Sequence, residues 1–107
     1  MALKTRPFDA AEYLEDDEAM VEYLEEAMKV AIEDSNPAFL THALGTVARA
    51  RGMTQIAKDA GLSRESLYKA LGAEGNPEFG TVLKVLQALG LSLSFTAPTP
   101  GAAAARR

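Results

Sequence analysis

Seven side chains within a short stretch could do chemistry: Gln55, Ser63, Arg64, Glu65, Ser66, Tyr68 and Lys69. They are hydrogen-bond donors and acceptors of the kinds that read base edges and hold phosphates. Arg64 can present two donors to guanine O6 and N7. Lys69 can reach a base or a phosphate, and Ser63 and Ser66 can donate to either. Gln55 can anchor a phosphate together with free backbone amides at a helix start. Glu65 can accept from a cytosine amino group, or pair with Lys69 at i+4. Tyr68 can donate to a phosphate or pack its ring on the helix above.

Chemistry of this kind needs a rigid mount, and the stretch from Met53 to Gly90 supplies one. Thr54 can cap a first short helix with Gln55 to Ala60 as its body, and Gly61 supplies the positive φ that ends it. Leu62 fills the bend. Ser63 caps a second helix over Arg64 to Leu71. Ile56, Ala57, Leu62, Leu67 and Leu71 are spaced to bury one face, which leaves the polar set outside. That layout is a helix-turn-helix, whose second helix can lie in a major groove.

The run T-Q-x-x-A-x-x-A-G-L-S-x-x-S-L-Y-K-A-L, Thr54 to Leu71, resembles the Cro/C1-type, phage-repressor-like domain. A wider stretch from about Phe8 to Phe95 resembles the small addiction module antidote proteins, HigA-like antitoxins of type II toxin–antitoxin operons. The segments that carry this are FDAAEYLEDDEAMVEYLEEAM and DSNPAFLTHALGTVARARGMTQIAKDAGLSRESLYKALGAEGNPEFGTVLKVLQALGLSLSF. The resemblance implies an all-α fold of about five helices, similar to lambda repressor. It also implies a double-stranded DNA operator and a small basic RelE/HigB-like ribonuclease toxin as partners, with autorepression of the operon.

Around the helix-turn-helix, Asp9 can cap a short turn through Tyr13, and a longer helix is expected over Asp17 to Glu33. Its stripe of Val21, Leu24, Met28 and Ile32, with Ala27 and Ala31 beside them, is apolar at helical spacing, and Glu18, Glu22, Glu25, Glu26, Lys29 and Glu33 lie opposite. Asn36 and Pro37 suit a cap and a first helical residue. The next helix, Pro37 to Arg51, puts Leu40, Ala43, Leu44, Val47 and Ala48 on one face. Gly72 to Pro77 is a loop. A last helix from about Phe79 to Leu89 turns Val82, Leu83, Leu86 and Leu89 inward. Leu91, Leu93 and Phe95 alternate with serines, a strand pattern. A lone strand cannot satisfy its own ladder, so it is expected to pair with the same strand of a second copy and make a homodimer. The organisation is therefore an acidic arm and helix over 1–36, the helix-turn-helix domain with its terminal strand over 37–96, and a disordered tail over 97–107.

Charge divides the chain in the same way. Residues 1–36 hold three basic groups against eleven acidic ones, a balance of −8, whereas residues 37–71 hold five basic groups against two acidic ones, +3. Phosphate is attracted to the second part and repelled by the first. The acidic helix has three readings: a solvated face over the core, a dimer contact, or a seat for the basic toxin the resemblance implies. In the last case Glu22, Glu25, Glu26, Leu24 and Met28 are the candidate contacts. Arg49 and Arg51 complement a helix C-terminus or touch phosphate, with the dipole role favoured. Asn76 caps a helix or touches phosphate. His42, the one histidine, reads as a surface or half-buried residue.

An enzyme is not expected. The chain has no cysteine, one histidine, no phosphate-cradling glycine loop and no metal-ligand cluster, and its carboxylates sit on an amphipathic helix. No cofactor or metal is expected. At 107 residues and 48% hydrophobic, there is material for one modest core. No apolar run approaches membrane-spanning length and no secretory segment opens the chain, so a cytoplasmic protein is expected. Two alternatives stand beside the antitoxin reading: a stand-alone repressor with no toxin, and an acidic protein-interaction module that does not bind DNA.

Overall fold

The computed structural model describes Leu14 and residues 16–97. The expected turn at Asp9 to Tyr13 and most of the expected tail lie outside the described residues. Within them are five helices and no strand: α1 Asp17–Glu33, α2 Pro37–Arg51, α3 Met53–Ala60, α4 Arg64–Leu71 and α5 Phe79–Ala88. No helix is long and apolar enough to cross a membrane.

Helix α1 starts where Asp16 accepts a hydrogen bond from the Ala19 amide at 3.0 Å. Its buried row is Met20, Leu24, Ala27 and Ala31, with Ala19 beside it. The apolar stripe read from the sequence needs correcting in part: Leu24, Ala27 and Ala31 are buried, while Val21 is 36% and Ile32 69% exposed. The reason lies in the partner. Helix α1 packs along α2, whose own buried face includes Ala43, Gly45 and Ala48. Facing alanines let the two backbones approach, and the larger Val21 and Ile32 are left at the side.

Helix α2 opens with Pro37 in its first turn, whereas Asn36 makes no side-chain cap. It also crosses α4 closely. A Cβ on Gly45 would stand 2.9 Å from the Leu71 carbonyl oxygen, so glycine is what admits this approach. At its far end, Arg51 reaches back to the first helix. Its Nε donates to the Leu14 carbonyl at 2.9 Å and its Nη2 to Asp17 Oδ1 at 2.7 Å. That tie is a third role for Arg51, beside the dipole and phosphate roles considered from sequence.

The turn into α3 is made by Gly52 at φ 102°, so α3 begins at Met53 and Thr54 lies inside it instead of capping it. Met53 is buried, which draws the helix start two residues earlier than the polar pattern suggested. Gly61, at φ 74°, ends α3, and Leu62 folds back through its amide to the Ala57 carbonyl at 2.9 Å. Ser63 then caps α4 through the Ser66 amide at 3.0 Å. Leu67 and Leu71 anchor α4 in the core with Leu44, Val47, Ile56 and Val85. Each such fully buried aliphatic side chain stabilises by about 1.5–3 kcal/mol relative to exposure.

In α5 the fully buried residue is Val85, with Leu89 behind it; Leu83 points outward and Val82 and Leu86 are half-buried. Beyond Gly90, residues 91–97 adopt no regular structure. The expected strand at Leu91, Leu93 and Phe95 is thus not formed within one chain. A ladder needs a neighbouring edge, and all the other described elements are helices.

Candidate nucleic-acid interface

Helix α4 is short and two-sided. Leu67 and Leu71 hold its inner side, and Ser63 satisfies its first turn, so Arg64, Glu65, Ser66, Tyr68 and Lys69 all stand on the exposed side. Gln55 is exposed as well, as the third residue of α3. Every member of the polar set read from the sequence is therefore accessible.

Two pairs within the set are brought together. The Ser63 hydroxyl donates to the Ser66 hydroxyl at 2.8 Å while accepting from the Ser66 amide. The Arg64 guanidinium lies over the Tyr68 ring, 5.2 Å from its centroid, and donates from Nη2 to the phenol oxygen at 3.3 Å. Arg64 is the first residue of its helix, where the dipole disfavours a cation. The ring face offsets part of that penalty, by about 0.5–1 kcal/mol at an exposed site. It also lays the guanidinium along the outer surface of α4. Tyr68 thus pairs with Arg64 instead of packing on the core.

Gln55 is less free than the sequence suggested. Its Nε2 donates to Asp59 Oδ1 at 2.9 Å, a contact one helical turn away on α3. Asp59 was missed among the candidates; the i+4 spacing from Gln55 was the signal that could have found it. Glu65 and Lys69 are both exposed, and among the described residues the ion pair is Arg51–Asp17, not Glu65–Lys69. Arg49 and Lys58 are further exposed cations on the neighbouring helices, and Asn76 is exposed in the loop after α4.

The acidic candidates sit elsewhere. Glu22, Glu25 and Glu26 are exposed on α1, Met28 is half-buried, and Leu24 belongs to the core. Helix α1 packs against α2, and α2 in turn packs against α3 and α4. Helix α2 therefore stands between the acidic face and the exposed side of α4.

Comparison with known proteins gives these surfaces a context. The family model described as "Probable addiction module antidote protein" matches residues 4–97. An uncharacterized protein of Haemophilus influenzae is 48% identical over 91 residues, which cover 85% of this chain and 90% of that protein. No solved structure matches the chain. On the extent of the family match, the chain belongs to the family of probable addiction module antidote proteins.

Proposed function

We propose that this chain is the DNA-binding antitoxin of a type II toxin–antitoxin pair. It binds a palindromic operator through α4, represses its own operon, and neutralises a RelE/HigB-like toxin by direct contact. In this reading α3, the turn at Gly61 and α4 act as a Cro/C1-type helix-turn-helix, with α4 in the major groove. Two copies form a homodimer, each adding the extended segment at Leu91, Leu93 and Phe95 to the other, so that two recognition helices enter successive major grooves. The setting is the cytoplasm, where DNA and toxin are both met.

The observation that carries the reading is the outer side of α4: Arg64, Glu65, Ser66, Tyr68 and Lys69 exposed on a helix whose other side is locked into the core. A helical hairpin with only a structural task has no need of that set on its solvent side. Arg64 takes a guanine, Lys69 a base or phosphate, and Ser63, Ser66 and Gln55 take phosphates. On α1, Glu22, Glu25 and Glu26 offer the charge that a basic toxin requires.

The test is fluorescence anisotropy with the duplex upstream of the gene and a scrambled duplex, over a salt series. Specific binding is expected to favour the native duplex by about a hundredfold or more and to weaken steeply with salt. Arg64→Ala should cost about 1–3 kcal/mol per half-site and relax the preference, while Lys69→Ala should lower the salt slope. Equal affinity for the two duplexes, or an unchanged preference in Arg64→Ala, removes α4 as the reading helix.

A further inference from the structure

Helix α1 carries more apolar side chain than the core uses. Its buried row faces α2, but Val21 and Met28 lie beside that row. With Leu40 and Leu44 of α2 and Leu86 of α5, they line a groove of about 500 Å³. Its far wall is the extended segment after α5, from Leu91 to Ser94. Beyond the Leu91 amide, which donates to the Leu86 carbonyl at 2.9 Å, that segment makes no backbone hydrogen bond among the described residues. The groove is open and apolar at its floor.

Of its lining residues, Glu25 and Lys29 are charged. Beside the groove the exposed side of α1 is acidic: Glu18 precedes Val21 by three residues, Glu22 and Glu26 stand a step further round the helix, and all three are exposed. No lining residue comes from α3 or α4.

From these features we infer that the groove between α1 and Leu91–Ser94 is the docking seat for a cationic protein partner. That partner inserts an apolar side chain over Val21 and Met28 and sets its basic groups against Glu18, Glu22 and Glu25. The charge of α1 selects the occupant: on its exposed side Glu18, Glu22, Glu25 and Glu26 outnumber Lys29, and a basic protein brings the opposite sign. The inference rests on the antitoxin reading for who the partner is: the toxin. Because the seat excludes α3 and α4, the partner leaves Arg64 and Lys69 uncovered, and toxin and DNA are held at the same time.

The experiment uses the full chain and, as probe, the purified product of the reading frame adjoining its gene, with affinity measured by calorimetry at two salt concentrations. Val21→Gln with Met28→Gln should weaken binding tenfold or more at both salts. Glu18→Lys with Glu25→Lys should weaken it tenfold or more at low salt and less at high salt. Circular dichroism establishes that each variant is folded, and Arg64→Ala, placed on the other face, should bind the probe as the wild type does. Unchanged affinity in the folded Val21/Met28 variant overturns the groove assignment alone. A wild-type chain that does not bind the probe overturns the antitoxin reading and the inference with it. If the Val21/Met28 variant loses self-association by sedimentation but keeps the probe, the groove belongs to a second copy and the proposal falls.

Discussion

Arg51 offers the sharpest test of how this fold is held, because its two contacts differ so much in setting. Its Nε donates to the carbonyl of Leu14, a fully buried residue. Its Nη2 meets Asp17, whose side chain is 84% exposed. A hydrogen bond from a charged donor contributes about 1.5–3 kcal/mol, and a buried carbonyl left unpaired costs about 1–3 kcal/mol. These are two views of one loss, so about 2 kcal/mol is assigned to the Leu14 contact. The exposed ion pair contributes about 0.5 kcal/mol. Arg51→Ala should therefore destabilise by about 2.5 kcal/mol. Asp17→Asn should cost only about 0.5–1 kcal/mol, including the loss of a carboxylate in the first turn of α1. The assay is urea unfolding followed by far-UV circular dichroism. With a slope of roughly 1 kcal/mol per molar for a chain of this size, the Arg51→Ala midpoint should fall by roughly 2.5 M. Equal losses in the two variants would refute the reasoning, since they would mean that the buried carbonyl is not what Arg51 holds.

Three other perturbations address separate parts of the architecture. Met20→Ala should cost about 2–5 kcal/mol while Ile32→Lys stays within about 0.5 kcal/mol, both read by thermal or urea unfolding; the reverse order would restore the stripe expected from sequence. Gly45→Ala should destabilise despite its gain of about 1 kcal/mol in helix propensity, because α2 and α4 must part to admit the Cβ, whereas Gly80→Ala, with nothing within 4 Å of the added carbon, should be neutral or stabilising. Ser63→Ala should cost about 1 kcal/mol by unfolding through loss of the α4 cap, and should also weaken operator affinity in the anisotropy assay.

Much of the helical frame was legible because local chemistry sets it. The start of α2, the end of α3 and the start of α4 follow from Pro37, Gly61 and Ser63, whose effects reach only one turn. The start of α3 was misplaced because Thr54 is a good cap in isolation. The chain turns two residues earlier, at Gly52, whose positive φ lets Met53 reach the core. The buried face of α1 was misplaced for a related reason. A hydropathy pattern ranks Val21 and Ile32 above alanine, but the helix pair buries Ala27 and Ala31 with Met20, and that preference belongs to α2. Arg51 was legible as a cation at a helix end, but not as a tie across 34 and 37 residues of chain. The exposed set on α4 could be read in full because a two-sided eight-residue helix leaves its polar residues one place to go. The Arg64–Tyr68 contact was available from i+4 spacing alone.

The net charge of −4 looks unfavourable for the proposed contact with a phosphate backbone, but the sum is the wrong quantity. Helix α1, with its exposed carboxylates, packs on α2, and α2 packs on α4. Neighbouring helix axes stand about 8–10 Å apart, so two packing steps separate the α1 and α4 axes by up to roughly 16–20 Å. The Debye length at physiological ionic strength is about 8 Å. Beyond one such length, solvent-exposed carboxylates on α1 are largely screened from phosphates that would lie against α4, while Arg64, Lys69 and Lys58 would act at contact distance. The separation is also fixed: Arg51 clamps α1 to the end of α2, and the missing Cβ of Gly45 holds α2 against α4. An acidic surface for one partner and a cationic surface for another can therefore coexist in 107 residues without cancelling. They interfere only when salt is low enough for the Debye length to span the thickness of α2.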